Sequence, residues 1–190
     1  MHYFCKFDLD FALCYNILQL YAEGGYLMDV KETCFFTGHR IIRKEHKNTI
    51  IENLKVAIYD LSQKGISHFI SGGALGFDTL AANAVIAARN NNPNIKLIFA
   101  LPCKNQTKGW KQKDIEEYER ILTLADEIVY VSEEYYDGCM QKRNRYMADN
   151  SSHCVFYMTS PRGGTAYTVK YAIENDIELH NIMIKNSTAD

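Results

Sequence analysis

The feature that most constrains this fold is a short apolar run that leads into three glycines and then into an alanine-rich run. Residues 67–70 precede the stretch Ser71-Gly72-Gly73-Ala74-Leu75-Gly76-Phe77-Asp78, and residues 79–89 have a helical pattern. This order predicts a strand, a tight glycine turn and a helix. Glycines tolerate positive φ angles, and the free amides at a helix start suit a phosphate. The stretch therefore predicts a site for a nucleotide or another phosphorylated ligand.

Two further glycine turns have the same position between an apolar run and a helical pattern. One is Thr37-Gly38-His39-Arg40, and the other spans residues 159–165 and ends in Arg162-Gly163-Gly164-Thr165. One such turn is weak evidence of a ligand, because tight strand–helix turns need glycine in any case. Three equivalent turns indicate a shared site, since ligands of open α/β sheets bind beyond the carboxyl ends of strands.

Composition excludes several classes of function. The 190 residues fit one domain, and 47% hydrophobic and 23% charged residues are ordinary for a soluble globular protein. A formal net charge of −2 argues against broad electrostatic binding to nucleic acid or to an anionic membrane. No run reaches the roughly 20 apolar residues that a membrane span needs.

The cysteines and histidines give no metal motif. Six cysteines without a CxxC pair predict reduced thiols in a cytoplasmic protein rather than a disulfide framework or a zinc site. The histidines show no metal-ligand spacing along the chain. We therefore predict neither a metal nor a cofactor from the sequence.

Residues 1–27 contain no strand–turn–helix unit and leave two interpretations open. They end in Glu-Gly-Gly, which a purine-rich ribosome-binding site would encode, and Met28 follows at a suitable distance, so that Met28 would be the natural start. Alternatively, residues 7–21 form an amphipathic helix that packs on the domain or on a partner. The remaining chain is predicted to form one domain over residues 28–186 and a loose tail over 187–190.

From residue 33 onward, short apolar runs alternate with helical patterns. Strands are predicted at 33–37, 67–71, 95–101, 127–131, 153–158 and 179–184, and helices at 44–64, 77–90, 108–124, 138–150 and 165–175. Continuous apolar strands are typical of a parallel sheet that is buried on both faces, and right-handed crossovers give a doubly wound arrangement. The predicted fold is therefore α/β and Rossmann-like, with a mainly parallel sheet and helices on both faces.

Together these motifs resemble the SLOG superfamily, and the span from about residue 33 to 182 is similar to its YpsA-like members from bacteria and phages. The superfamily includes the LOG enzymes, which hydrolyse nucleoside monophosphates to a free base and ribose 5-phosphate. Residues 140–147 resemble the LOG Met-x-x-Arg-Lys-x-x-Met helix, with Arg143 at the arginine position and Asn144 in place of the lysine. Residues 160–165 resemble the LOG Pro-Gly-Gly-x-Gly-Thr loop. The second glycine turn also resembles DNA-processing protein A, which binds single-stranded DNA.

The LOG resemblance ends at the catalytic glutamate. Ala166, Tyr167 and Thr168 follow the third turn, and the next carboxylate is Glu174. N-glycosidic cleavage needs an acid, a base or a group that stabilises an oxocarbenium-like centre, and carboxylates usually supply these. The resemblance therefore implies a module that binds or senses a nucleotide-derived ligand, ADP-ribose or NAD-like, more strongly than it implies an enzyme. The alternatives are an N-glycosidase with Asp78 as a weak catalytic candidate and a single-stranded DNA-binding protein.

The predicted ligand-binding residues come from the three turns and the basic helix. Arg40 and Arg143 would neutralise phosphate, and His39 would donate to a phosphate or a sugar. Asp78 would cap its helix or bind a ribose hydroxyl, and Tyr135 or Tyr136 would stack on a base. The full ligand-binding set is Thr37, Gly38, His39, Arg40, Ser71, Gly72, Gly73, Gly76, Asp78, Arg143, Arg162, Gly163, Gly164 and Thr165. The expected partner is a nucleotide-type small molecule. Many proteins of this class form a homodimer, but the sequence assigns no dimer face.

Overall fold

Strands and helices alternate through residues 29–183, the part of the chain that the computed structural model describes. The six strands are β1 (Thr33–Gly38), β2 (His68–Ser71), β3 (Lys96–Leu101), β4 (Glu127–Tyr130), β5 (His153–Tyr157) and β6 (Glu178–Asn181). The five helices are α1 (Lys47–Gln63), α2 (Phe77–Ala88), α3 (Gln112–Leu122), α4 (Cys139–Asp149) and α5 (Gly164–Glu174). Every strand and helix predicted from the sequence is present, within a few residues of its predicted bounds.

The sheet is parallel throughout, with the strand order β4-β3-β2-β1-β5-β6. Phe35 of β1 pairs with Ile70 of β2 on one side and with Cys154 of β5 on the other. The chain moves outward from β1 to β4 in one direction and then returns to add β5 and β6 in the other. This order confirms the doubly wound, Rossmann-like prediction, and it places the change of direction between β1 and β5.

Helices cover both faces of the sheet because successive strand residues point to opposite sides. Cys34 and Phe36 of β1 belong to the cluster that packs under α1, α2 and α3. Phe35, which lies between them in the sequence, belongs to the cluster under α4 and α5. The layers are therefore three helices, one sheet and two helices, and each face has its own hydrophobic core.

Helix α1 shows how local sequence places these layers. Its buried residues recur every three or four positions and form one apolar stripe: Ile50, Leu54, Ile58 and Leu61. Gly65 follows the helix at a φ of 92°, the left-handed conformation that commonly ends a helix. These residues belong to the core on one face of the sheet, so their burial packs α1 against that face.

Two elements differ from their sequence predictions. Helix α3 begins at Gln112 rather than at 108, because Gly109 has a φ of 84° and Trp110 lies in the turn before the helix. The Trp110 ring packs edge-on against Tyr118 at 5.4 Å between centroids. Strand β4 is half-buried and exposed at alternate positions rather than fully buried, because it lies at the edge of the sheet.

Several predictions fall on residues that lie outside the described range. These are the two interpretations of residues 1–27, the start at Met28 and the tail at 187–190. Within residues 29–183, no helix has the length and apolar character required to cross a membrane.

Candidate functional site

A cleft with a volume of about 250 Å³ lies beside β1, where the sheet changes direction, between α2, α4 and α5. Crevices at such switch points are where open α/β sheets bind their ligands. The structure brings eight of the predicted residues into its lining: Thr37, Gly38, His39, Arg40, Asp78, Arg143, Gly164 and Thr165. The cleft therefore joins the first turn, the start of α2, the basic helix α4 and the start of α5.

The other predicted residues lie behind or beside this lining. Ser71, Gly72 and Gly73 are buried at the end of β2, where the Gly73 N–H donates to the Ser71 hydroxyl at 3.3 Å. Gly76 lines an adjacent depression that it shares with Arg40. The remaining two, Arg162 and Gly163, are exposed in the turn before α5.

Arg143 is the central cation of the cleft, and only 5% of it is exposed. Its Nη1 donates to the Gly72 carbonyl oxygen and, at 3.5 Å, to the Ala100 carbonyl oxygen. Its Nε donates to Asn144 Oδ1 at 2.8 Å. Among the described residues its Nη2 has no acceptor, although a guanidinium has donors on all three nitrogens. A nearly buried cation therefore reaches the cleft with unused hydrogen-bonding capacity.

Asn144 holds the Arg143 side chain in place. Its amide oxygen accepts from Arg143 Nε, and its Nδ2 donates to Thr168 Oγ1 at 2.7 Å. This connects α4 to α5 across the cleft. The asparagine that replaces the lysine of the LOG pattern is therefore a positioning residue for the arginine beside it.

Gly72 is required by the close approach of two charged side chains. A Cβ atom there would overlap Arg143 Nη1 and would lie 2.8 Å from Asp78 Oδ2. Any larger residue would therefore displace the arginine or the aspartate. The missing side chain at Gly72 thus lets two charged side chains approach the main chain.

Of the described residues that line the cleft, Asp78 is the one with an acidic side chain. It is 5% exposed, and its Oδ2 accepts from the Ala74 N–H at 3.2 Å. Burial raises the pKa of this carboxyl, while Arg143, the Ala74 amide and Arg40 act in the opposite direction. Burial likewise lowers the pKa of Arg143, and Asp78 opposes that shift. The two side chains thus form a coupled pair in a poorly solvated wall.

We refer to Gly72, Asp78 and Arg143 as the buried wall and to Arg40, Arg162, Gly163 and Gly164 as the exposed rim. The rim has few contacts of its own. Arg40 is exposed, and its one side-chain hydrogen bond among the described residues runs from Nη2 to Met140 Sδ at 3.9 Å. A Cβ atom at Gly163 or Gly164 would meet nothing within 4 Å. The cleft consequently has one closely packed side and one open side.

His39 connects the first turn to the third. Its Nε2 accepts a hydrogen bond from the Thr159 N–H at 2.8 Å, so the ring proton is on Nδ1. Its ring packs edge-on against Tyr157, with 5.6 Å between centroids. One nitrogen of His39 is therefore used to hold the β1 and β5 turns together.

Three helices begin at this edge of the sheet without a side-chain cap. The residues before α2, α4 and α5 are Gly76, Gly138 and Gly163, each with a positive φ. A helix start carries unpaired N–H groups and a partial positive charge, which favour an anion. The partial positive charge at these helix starts has the same sign as the charges of Arg40 and Arg143.

Met140 and Met147 also line the cleft, as does Asn144, and none of them was predicted as a site residue. Together with Arg143 they occupy positions 140, 143, 144 and 147 of α4, which is the spacing of one helical face. That spacing is visible in the sequence and is the signal by which they could have been found.

Comparison with known proteins decides the family. The family model YpsA, described as the YspA SLOG family, matches residues 34–189 of this chain. The chain belongs to the YpsA SLOG family. A prophage-derived relative, YoqJ of Bacillus subtilis strain 168, is 38% identical over 116 residues, which cover 55% of this chain and 68% of YoqJ. The similar proteins named here come from bacteria, as the sequence resemblance predicted.

Solved structures of DNA processing protein A share the fold of this YpsA SLOG chain. The protein from Helicobacter pylori has a TM-score of 0.57 at 20% identity, over 80% of this chain and 65% of its own. The protein from Streptococcus pneumoniae has a TM-score of 0.55 at 18% identity, over 77% of this chain and 48% of its own. This chain therefore spans about half the length of the S. pneumoniae protein and about two thirds of the H. pylori protein. The likeness shows a shared fold.

Proposed function

We propose that the cleft binds a nucleotide-derived anion, of the ADP-ribose or NAD type, and that the protein acts as a binding or sensing module. The observation that carries this proposal is Arg143 Nη2, a donor on a nearly buried cation with no acceptor among the described residues. A buried charge is costly unless it is paired and hydrogen-bonded. A phosphate oxygen would accept from Nη2 and give Arg143 a second anionic partner beside Asp78.

The remaining charges of the cleft favour the same class of ligand. Arg40 adds a second cation on the exposed rim, and the start of α5 adds unpaired amides at Gly164 and Thr165. Since burial raises the pKa of Asp78, its carboxyl keeps a proton more readily than an exposed one. The raised pKa reduces the repulsion that this carboxyl would exert on an anion, and Arg143 and Arg40 supply the opposing positive charge.

The size of the cleft favours partial enclosure of the ligand. Its volume of about 250 Å³ is just below the roughly 300–1,000 Å³ of typical small-molecule sites. The phosphate and the adjoining ribose would lie against the buried wall. The rest of an ADP-ribose-like molecule would extend over the exposed rim, where Arg162 and Gly163 are accessible.

Catalysis has less support than binding. Glu174 is the last residue of α5, about 15 Å along the helix axis from Gly164, and it is exposed. It cannot replace the glutamate that directly follows the third turn in LOG enzymes. An N-glycosidase would therefore have to use Asp78, whose raised pKa suits an acid more than a base.

One observation favours single-stranded DNA as a second candidate. Tyr130, Tyr135 and Tyr136 are between 42% and 57% exposed at the same edge of the sheet, and Lys104 Nζ lies 5.9 Å from the Tyr130 ring centroid. Exposed aromatic rings beside cations are the usual platform for unpaired bases. The H. pylori structure is described in terms of a single-stranded DNA binding mode, although its likeness extends to the fold alone. The net charge of −2 weakens this candidate.

The test is calorimetric titration of the full chain with ADP-ribose, NAD, AMP and an oligothymidine strand, followed by mass spectrometry of the recovered ligand. The matched variants are Arg143→Lys and Arg145→Lys, because Arg145 is exposed on the same helix and lies outside the cleft lining. Binding that is lost in Arg143→Lys and kept in Arg145→Lys supports the cleft. Equal affinities in the two variants contradict it.

The recovered ligand separates the alternatives. An intact nucleotide supports a binding module, whereas free base identifies an N-glycosidase. Binding of oligothymidine alone, with an affinity that falls steeply as salt rises and that survives Arg143→Lys, would replace the proposal by the DNA candidate.

A further inference from the structure

Three metal-binding side chains converge at the opposite end of the sheet from the cleft. His153 is the first residue of β5, and Glu178 is the first residue of the edge strand β6. The two residues are paired in register, so their side chains leave the same face of the sheet. His180 lies two positions beyond Glu178 and therefore points to that face as well.

The donor atoms of these residues lie close together, all within 4.8 Å of one another when each residue offers one atom. His153 Nδ1 lies 3.1 Å from His180 Nε2. The two carboxylate oxygens of Glu178 lie 3.5 Å from these nitrogens, Oε2 from His153 and Oε1 from His180. Three different side chains thus direct their donor atoms to one point between two adjacent strands.

We propose that His153, Glu178 and His180 form a zinc site, with water as the fourth ligand. In tetrahedral zinc sites the ligand atoms are about 2.0–2.1 Å from the metal, which places neighbouring ligand atoms about 3.3–3.4 Å apart. The distance of 3.1 Å between the two nitrogens and the 3.5 Å distances to the carboxylate lie on either side of that separation. The two oxygens of Glu178 face different histidines, so the carboxylate would also have to turn for one oxygen to bind the ion.

The donor set favours zinc over magnesium or calcium. Imidazole nitrogens suit zinc and its neighbours in the transition series, whereas magnesium and calcium prefer oxygen ligands throughout. The His153 and His180 side chains are 13% and 14% exposed, and Glu178 is 54% exposed. The nitrogens are thus held in place by the fold, and the carboxylate side remains open to solvent and to an entering ion.

Lys64 competes with the metal for the carboxylate. Its Nζ lies 3.4 Å from Glu178 Oε1, and its side chain is 57% exposed. An exposed ion pair of this kind is weak. A metal ion would displace it, and removal of the lysine charge would increase the affinity for a cation.

Chain spacing did not predict this site because the ligands come from two strands with a helix between them. A bound ion would link the edge strand β6 to β5, the strand beside the switch point. Its expected effect is on the stability of the sheet edge and not on the cleft, which lies at the other ends of these strands.

The test is calorimetric titration of the metal-stripped full chain with zinc, supported by the visible absorption spectrum of the cobalt-substituted protein. We expect the parent protein to bind one zinc ion and His180→Ala to bind none. In Glu178→Gln the affinity for zinc should fall more than about 10-fold, because a direct ligand matters at least as much as its supporting contacts. Glu174→Gln, a change at another exposed glutamate, should bind like the parent protein. Lys64→Ala should bind more tightly.

Two further measurements keep the outcome decisive. Melting curves of the metal-free variants show whether His180→Ala and Glu178→Gln remain folded, and zinc should raise the Tm of the parent protein and not that of His180→Ala. Zinc binding with the same stoichiometry and affinity in the parent and in both ligand variants, or no zinc binding by the parent, would overturn the proposal.

Discussion

The buried wall and the exposed rim of the cleft are built in opposite ways. On the buried wall, Arg143 and Asp78 are each 5% exposed and are held by main-chain partners. On the exposed rim, Arg40 has a single weak side-chain hydrogen bond among the described residues, and Gly164 has open space where a side chain would lie. One side of the cleft is therefore pre-organised, while the other is free to adapt.

This difference separates two tasks that a ligand site must perform. A pre-organised cation loses little conformational freedom when an anion arrives, so it contributes affinity. An open rim adds charge and accepts ligands of different length, but it contributes less for each contact because solvent screens it. We expect substitutions in the wall to change both stability and binding, and substitutions in the rim to change binding alone.

The largest effect is expected from Gly72→Ala. The added methyl group would overlap Arg143 Nη1, so the arginine or the turn must move. We expect the free energy of unfolding to fall by about 1–3 kcal/mol, as for other overpacked sites, with loss of nucleotide binding. Gly164→Ala is the matched control, because its Cβ meets nothing within 4 Å. Denaturant unfolding of both proteins measures the difference, and equal stabilities would show that the wall is not closely packed in solution.

The next effect is expected from Arg143→Lys. Lysine keeps the charge but loses the planar set of donors that reaches Gly72, Asn144 and the cleft together. We expect the affinity for ADP-ribose to fall about 10- to 100-fold, the equivalent of one hydrogen bond to a charged group. Calorimetry measures the change, and Arg145→Lys provides the control. An affinity within twofold of the parent protein would remove Arg143 from the site.

A smaller effect is expected from Arg40→Ala on the exposed rim. We expect the affinity to fall about 2- to 5-fold at low salt, with the difference disappearing as salt rises, because exposed charges are screened. Thermal melting should change little, since the Arg40 side chain has one hydrogen bond among the described residues, to Met140, and its attraction to Asp78 is opposed by its repulsion of Arg143. Arg162→Ala, outside the cleft lining, should change the affinity less. A large fall in Tm would place Arg40 with the buried wall.

The smallest effect concerns the pH dependence of stability. Because burial raises the pKa of Asp78, the folded state binds its proton more tightly than the unfolded state does. The stability that this provides is complete below about pH 4 and is lost as the pH rises through the folded-state pKa. Asp78→Asn cannot titrate, so the Tm of this variant relative to the parent should increase from pH 4 to pH 7. Melting curves across that range test the sign, and a decrease would mean that attraction to Arg143 outweighs burial.

The fold was largely predictable because its signals are local. The apolar stripe of α1 and the continuous apolar runs of the central strands depend on residues a few positions apart. The start of α3 was predicted too early because helical spacing continues through Gly109, whose positive φ is set by the turn. The edge position of β4 was also missed, because strand order follows from crossovers and not from the strand itself.

The site was only partly predictable. Sequence spacing placed the three turns at one edge of the sheet, and the resemblance to the LOG helix indicated that Arg143 shares it. It did not indicate that Gly72 and Gly73 lie behind the cleft, that one nitrogen of His39 binds the main chain, or that Asn144 holds the arginine. These contacts join residues on different turns, and no periodic pattern along the chain records them.

The sequence by itself determined the alternation of strands and helices, the parallel sheet and the three turns, because each depends on the conformational preferences of neighbouring residues. The tertiary structure alone decided how Arg143 meets Gly72 across 71 positions, and how His153 meets Glu178 and His180. The physical reason is that charges and donor atoms act over a few ångströms. Which charges and donor atoms come that close depends on how the strands and helices are arranged, and the packing of both cores against the sheet decides this arrangement.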